Sequence, residues 1–146
     1  MKRYKIFILF ITLSGCNQER FFICSKDKSQ CITVITYKDI KIRYIISGKH
    51  YTIPDDKNYI KLDIKNIDKI GDEILGYWNS HPKGWVLYNH QSIILENNLD
   101  TVRYKFRNSL PLKAYDVPTV KPILEEDYFR VGLNYYKVVF SSGNMR

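Results

Sequence analysis

Alanine is nearly absent from this chain of 146 residues, in which Ala114 is the only one. Alanine is the best helix former, whereas the abundant isoleucine, tyrosine, phenylalanine, valine and threonine suit a half-buried pleated surface. The composition therefore argues against a helical bundle and favours β-structure. At this length the chain can form one domain with its own hydrophobic core.

Sequence patterns typical of enzymes and metal sites are missing as well. The three histidines, His50, His81 and His90, show neither His-x-His nor His-Glu-x-x-His spacing. The chain also has no Gly-x-Ser-x-Gly elbow and no glycine-rich phosphate loop. We therefore expect a protein that is not an enzyme, with no metal, no cofactor and no small-molecule substrate. A hydrolase remains an alternative if a histidine or a carboxylate pair converges on a pocket.

Long apolar runs are absent, since none approaches the ~20 residues that a membrane-spanning helix needs. The run Ile6–Leu13 has eight residues, follows three basic residues and leads into Ser14-Gly15-Cys16. This order is typical of a secretory signal. The ending Leu13-Ser14-Gly15-Cys16 resembles the bacterial lipobox, which implies acylation of Cys16 and cleavage just before it. A short membrane anchor and a soluble secreted protein are the alternatives.

Under the lipoprotein interpretation the chain has three parts. Residues 1–15 are a signal peptide that is removed, residues 16–20 hold the lipid-attachment Cys16 and a short tether, and residues 21–146 form a single β-rich globular domain. The four extended residues of the tether reach about 14 Å. Asn17 resembles the outer-membrane sorting pattern, because an Asp there tends to retain lipoproteins in the inner membrane. We expect a lipid anchor on the periplasmic face of a bacterial membrane, the outer rather than the inner.

The other two cysteines fit an exported protein. Cys24 and Cys31 are an even pair that flanks the polar, turn-like segment 25–30. A hairpin would place them opposite each other, near the Cα separation of roughly 5.5–6 Å that a disulfide prefers. We therefore predict a structural disulfide. A redox or metal-binding pair is the alternative, although no further ligands lie nearby.

Alternating polarity predicts about seven or eight short strands with little helix. Segments 31–37 and 41–46 are expected to form a hairpin, and segments 84–88 and 92–96 another one around Asn89-His90-Gln91. The stretch 66–79 is ambiguous, because isoleucines recur there at helical spacing. With turns every 8–12 residues, the pattern indicates an antiparallel β-sandwich or barrel.

The segment Gly71–Trp85 holds both tryptophans of the chain. Tryptophan is enriched at binding hot spots, but Trp78 and Trp85 are interpreted as core residues. Contact with a partner is then expected from side chains around the first tryptophan and from the turn that follows it: Tyr77, Asn79, His81 and Lys83.

Three strings of the sequence carry a family resemblance. They are Cys31–Tyr37, Gly71-Asp72-Glu73 with Gly76 and Trp78, and Asn98–Phe106 with Leu110-Pro111. In these strings the chain resembles a group of small enterobacterial lipoproteins, the type VI secretion system immunity periplasmic lipoproteins. The resemblance extends over nearly all of the mature chain. It implies an inhibitor of a secreted toxin and supplies no catalytic residues.

The leading hypothesis is a membrane-anchored periplasmic immunity protein that binds and neutralises a toxin delivered by type VI secretion. The chain has a net charge of +8, of which the signal holds three basic residues, and complementary charge would speed encounter with an acidic toxin. In Arg103–Arg107 we expect the aromatics to face inward and the cations outward, with no nucleic acid bound. The alternative function is an envelope structural or assembly lipoprotein that docks on a resident membrane complex.

Overall fold

The described part of the molecule consists of strands and the turns between them. The structure, a computed structural model, describes residues 17–67, 72–89, 91–108, 128–134 and 136–139. Within these ranges, no helix has the length and apolar character needed to cross a membrane. The ranges contain ten strands: β1 (Gln18–Cys24), β2 (Cys31–Tyr37), β3 (Ile42–Ser47), β4 (Tyr59–Asp63), β5 (Asp72–Ser80), β6 (Lys83–Asn89), β7 (Ile93–Asn97), β8 (Tyr104–Arg107), β9 (Tyr128–Gly132) and β10 (Tyr136–Val139).

The strands form two five-stranded sheets. Sheet A has the order β1-β2-β3-β4-β7 and is antiparallel throughout. Sheet B has the order β10-β9-β5-β6-β8 and is antiparallel except for the parallel pair β6–β8. One hydrophobic core takes side chains from both sheets, as in a β-sandwich. The predicted mainly β, sandwich-like fold is confirmed. The number of strands is higher than the expected seven or eight, because residues 72–80 and 128–132 also form paired strands.

Period-2 alternation decides which side chains enter the core. In sheet A, Val34, Ile45 and Ile60 are cross-strand neighbours, and all three are fully buried. In sheet B, Trp85 is buried in the same core and Trp78 packs against it. Both tryptophans therefore have the core position that the sequence predicts.

A charged side chain, Arg43, lies inside the sandwich and links the two sheets. It is fully buried, and its Nε donates a hydrogen bond to the Thr36 hydroxyl at 2.9 Å. Its Nη2 donates to the carbonyl oxygens of Gly132 and Leu133, each at 3.2 Å. Burial lowers the pKa of Arg43 to about 10, against the opposing effect of the Glu19 charge. The guanidinium is therefore still cationic at neutral pH, and its hydrogen bonds join β3 to the end of β9.

The predicted hairpin around Asn89-His90-Gln91 is wrong. Strand β6 before it belongs to sheet B, whereas β7 after it pairs with β4 in sheet A. The buried Asn89 side chain closes this corner, because its Oδ1 accepts a hydrogen bond from the Ser92 N–H at 3.1 Å and its Nδ2 donates to the Ser92 carbonyl at 2.6 Å. The hairpin in this part of the chain is β5–β6, and its turn contains a cis His81–Pro82 peptide bond.

Other predicted elements begin or end at different residues in the structure. Residues 72–79 of the ambiguous stretch belong to β5 and not to a helix. The predicted tether is shorter, because residues 18–20 already pair with β2 and only Asn17 precedes β1 in the described chain. Arg103, the first residue of the segment Arg103–Arg107, lies in a turn, since β8 begins only at Tyr104. Within β8 the aromatic side chains pack on the core and the cations point outward, as predicted.

Cys24 and Cys31 form the predicted disulfide. They are direct cross-strand partners in the β1–β2 pair, with their Cα atoms 4.0 Å apart. The turn between them is closed by a hydrogen bond from the Ser25 N–H to the Gln30 carbonyl at 2.8 Å. The Ser25 hydroxyl also donates to the Asp27 carboxylate at 2.7 Å. The disulfide therefore fastens a hairpin that is already closed by local hydrogen bonds.

We expect the double substitution Cys24→Ser, Cys31→Ser to lower the free energy of unfolding by about 2.5 kcal/mol, because the unfolded chain regains the entropy of an open loop of eight residues. Equilibrium urea unfolding under non-reducing conditions measures the difference. Reduction of the unsubstituted protein is the control and should give a similar loss. Equal stability of the variant and the oxidised protein would contradict a stabilising role.

Candidate functional site

A continuous row of tyrosine and arginine side chains crosses the outer face of sheet B. The Tyr77 ring meets the Tyr88 ring edge-on, with centroids 6.1 Å apart, and the Tyr128 ring on its other side at 6.3 Å. The Arg107 guanidinium lies over Tyr88 at 5.9 Å, and that of Arg130 over Tyr128 at 5.7 Å. We call these five residues the tyrosine–arginine face. It crosses β8, β6, β5 and β9, a width of roughly 14 Å.

The local sequence explains why these side chains point outward. Gly76 faces the core opposite Phe129, and a Cβ on Gly76 would lie 2.1 Å from the Phe129 ring. Glycine is therefore the residue that lets this ring fill the core. Because Phe129 points inward, its neighbours Tyr128 and Arg130 point outward, and the inward Gly76 places Tyr77 on the same outer face.

The tyrosine–arginine face combines half-buried rings with exposed charges. Its three tyrosines are half-buried, whereas Arg107 and Arg130 are exposed. Half-buried rings lose little conformational freedom on binding, because their neighbours already restrict them. Tyrosine and arginine are also enriched among the residues that dominate binding energy at protein interfaces. The face therefore has the chemistry of a protein-binding surface.

The charges on this face favour an acidic partner. Lys105 and Arg107 are both exposed on β8, and within the described ranges neither forms an ion pair with a carboxylate. On the outer face of sheet A, in contrast, Lys61 is paired with Glu96 at 3.5 Å. The Tyr59 hydroxyl donates to the same carboxylate at 3.4 Å. Among the described residues, a cation on the outer face of sheet A is thus paired with a carboxylate, whereas Lys105 and Arg107 on the outer face of sheet B are not.

The outer face of sheet A is instead packed by the chain itself. Ile35 and Ile46 are fully buried there, and Ile53 from the loop between β3 and β4 packs against them. Tyr44 on this face contacts the Tyr59 ring, with centroids 5.1 Å apart. The aromatic side chains of this cluster therefore pack against residues of the protein itself. This makes sheet B the better candidate for contact with a partner.

The structure divides the four predicted contact residues between two places. Tyr77 lies at the centre of the tyrosine–arginine face. Asn79, His81 and Lys83 lie at the end of the β5–β6 hairpin, where the Asn79 carbonyl accepts a hydrogen bond from the Gln30 side chain at 2.7 Å. His81 and Lys83 are exposed. The hairpin therefore connects the face to the end of the sandwich that carries the disulfide.

A cavity of about 150 Å³ opens at this end. Lys83 and Arg103 supply charge to it, and Trp85 and Tyr104 form an aromatic wall with ring centroids 5.0 Å apart. The Arg103 Nε donates to the Lys83 carbonyl at 3.0 Å, and the guanidinium lies 5.2 Å from the Tyr104 centroid. Gly48, with a φ of 89°, turns the chain at the cavity edge. Arg103 is thus held in place from two sides.

One carboxylate lies close to this cavity. Hydrogen bonds from the Ser25 hydroxyl and then from Ser29 lower the pKa of Asp27 to about 2, and the Lys83 charge adds a smaller effect. Asp27 is therefore charged at neutral pH. Its Oδ1 accepts both the Ser25 hydroxyl and the Ser29 N–H, so the carboxylate is engaged by its own turn.

The described histidines do not converge on a site. His50 follows β3, where its backbone N–H donates to the Thr33 hydroxyl at 2.8 Å, and His81 lies in the exposed hairpin turn. His90 lies outside the described residues. Among the residues that the structure describes, no group of three His, Cys, Asp or Glu side chains is placed to hold a metal ion.

Tyr77 and Lys83 stay predictions as contact residues, and the sequence did not point to the residues that the structure places around them. Tyr88, Tyr128 and Arg130 become neighbours of Tyr77 only through the order of strands in sheet B, which the sequence does not carry locally. The sequence did point to Arg103 as an exposed cation, because the segment Arg103–Arg107 was expected to present its cations outward. No protein-family model, curated protein or solved structure matches the chain.

Proposed function

We propose that this protein is a membrane-anchored periplasmic immunity protein that binds and neutralises a toxin delivered by type VI secretion. The observation that carries the proposal is the tyrosine–arginine face, a surface of ring and guanidinium groups supplied by four strands. An inhibitor needs a rigid complementary surface and no chemistry of its own. A sandwich with one disulfide is a suitable scaffold for such a surface in an oxidising compartment.

The position of β1 supports a domain held close to a membrane. If Cys16 carries the lipid, only Asn17 separates it from β1, and two extended residues span at most about 7 Å. Strand β1 then runs from the anchored end at Gln18 to the disulfide end at Cys24, roughly 20 Å away. The β5–β6 hairpin lies at this far end, where a toxin arriving in the periplasm would meet it.

The mode of neutralisation follows from the chemistry of the face. A partner with exposed carboxylates would be steered toward the cations of β8 and β9, because opposite surface charges accelerate encounter. The tyrosine rings would then supply the contacts that hold the complex together. We propose that the toxin surface covered in this way includes its active site.

Deletion of the gene should sensitise cells only to attackers that carry the matching effector. The test is co-culture with an attacker strain and with the same attacker lacking its secretion apparatus, scored as survival of the deletion strain. Plasmid copies of the full chain and of a Cys16→Ser variant complete the design. The full chain should restore survival, and the variant should restore it less, because it has lost its acylation site.

The expected result is different if the partner is a membrane complex of the same cell rather than a toxin. An envelope structural lipoprotein is expected to produce permeability defects in pure culture, without any attacker. Permeability defects together with unchanged survival in co-culture would contradict immunity. They would assign the tyrosine–arginine face to docking on a membrane complex of the same cell.

A further inference from the structure

The cavity at the disulfide end has the size of a side-chain pocket. Its volume is about 150 Å³. Pockets for nucleotides, sugars and other whole ligands are about two to six times larger. The cavity therefore suits the end of one side chain rather than a complete small molecule.

Two cations define what this cavity attracts. Lys83 and Arg103 both line it, and in the part of the chain that the structure describes neither is paired with a carboxylate. Arg103 uses its Nε on the Lys83 carbonyl, and its other two nitrogens make no hydrogen bond to a described residue. The nearby Asp27 accepts hydrogen bonds from Ser25 and Ser29 on its Oδ1, and its negative charge also interacts with the Lys83 charge. The cavity thus offers a held guanidinium and an ammonium to an incoming anion.

The walls of the cavity are rigid. Trp85 is almost fully buried, and its ring packs on Tyr104. Cys31, which is bonded to Cys24, also lines the cavity, as does Gly48. A site that is already formed binds a small group with little further ordering. This feature separates it from the exposed lysines elsewhere on the surface.

We propose that this cavity binds the carboxylate of an aspartate or glutamate side chain of the partner protein. The inference rests on the proposed function and extends it, since it names what the partner inserts. Lys83 lies on the same hairpin as Tyr77, at the turn end of that hairpin. A lipid headgroup of the anchoring membrane is disfavoured, because the cavity lies at the end of β1 remote from Cys16.

The first experiment uses small probes and needs no toxin. The full chain, labelled with ¹⁵N and held in detergent, is titrated with N-acetyl-glutamate amide while the indole N–H resonance of Trp85 is followed. We expect a saturable shift, which the neutral N-acetyl-glutamine amide should not produce. Inorganic phosphate should bind more weakly than the carboxylate. No shift, an equal shift with the neutral probe, or tighter binding of phosphate would overturn the assignment.

Substitutions test whether the glutamate probe binds in this cavity. Arg103→Gln and Lys83→Gln should each weaken binding of the glutamate probe at least fivefold, because each removes one charge-assisted contact. Arg103→Lys keeps the charge and should keep part of the affinity. The matched control is Lys105→Gln, which removes an exposed cation from β8 outside the cavity and should leave probe binding unchanged. An equal loss in the control would contradict a localised site.

A second readout separates this inference from the proposed function. In the co-culture test, Arg103→Gln should reduce protection relative to Lys65→Gln, which removes an exposed cation outside both the cavity and the tyrosine–arginine face, at equal protein levels. Full protection by Arg103→Gln would overturn the cavity as a partner site while leaving immunity intact. Saturable probe binding by a protein that protects against no effector would overturn immunity and leave only a carboxylate site.

Discussion

Replacing Arg43 with methionine is expected to lower the free energy of unfolding by about 3 kcal/mol. Methionine fills a similar length of the core but donates no hydrogen bond. The Thr36 hydroxyl and the carbonyls of Gly132 and Leu133 would each lose a donor inside the sandwich. An unsatisfied buried polar group costs about 1–3 kcal/mol, and partial rearrangement keeps the total near the lower end of the summed range.

The measurement is equilibrium urea unfolding of Arg43→Met beside two controls. Arg107→Met removes the same group from an exposed strand position and should change stability by less than about 0.5 kcal/mol. Arg43→Lys keeps a buried charge but cannot reproduce the forked geometry, so we expect a loss close to that of methionine. A methionine variant as stable as the unsubstituted protein would show that apolar packing fully replaces the hydrogen bonds.

Local sequence patterns were sufficient for most of the strands and for the disulfide hairpin, but not for β5 and β9. A short turn joins β2 to β3, so the pairing of these two strands as a hairpin follows from neighbouring sequence. The same applies to Cys24 and Cys31, which flank a turn that closes on itself. In these cases the residues that determine the structure lie within a few positions of one another.

Pairing between distant strands could not be predicted in the same way. The corner at Asn89 and Ser92 has the composition of a hairpin turn, yet it carries the chain from sheet B to sheet A. Which strand lies beside β7 depends on core packing across the sandwich, and that information is spread over both sheets. The stretch 66–79 stayed ambiguous for a related reason, since its isoleucines recur at helical spacing while residues 72–79 belong to β5.

The candidate site was only partly predictable for the same reason. Tyr77 was identified from its position beside Trp78 in a segment rich in turn residues. Its neighbours Tyr88 and Tyr128 come from strands on either side of β5, and Tyr128 is far away in the sequence. The cavity depends on four chain segments that meet only after both sheets have formed. A surface assembled from separate strands becomes visible only once their order is known.

Substitution of Tyr77 by alanine is expected to weaken the complex with the partner toxin at least thirtyfold, which corresponds to about 2 kcal/mol. Tyr77 is the residue that contacts both neighbouring tyrosines, so its loss also releases the rings of Tyr88 and Tyr128. Cross-strand aromatic pairs contribute about 0.2–1 kcal/mol each to a sheet, so the fold should survive the change. The affinity is measured with the purified full chain and the toxin identified by co-culture.

Tyr44→Ala provides a matched control for this prediction. Tyr44 is also a half-buried strand tyrosine that contacts two other tyrosine rings, but it lies on the outer face of sheet A. Both variants should lose similar stability, whereas only Tyr77→Ala should lose affinity. An equal loss of affinity in the two would mean that binding responds to general destabilisation. Unchanged affinity in Tyr77→Ala would remove the tyrosine–arginine face from the interface and leave the disulfide end, with Lys83 and Arg103, as the surface that meets the toxin.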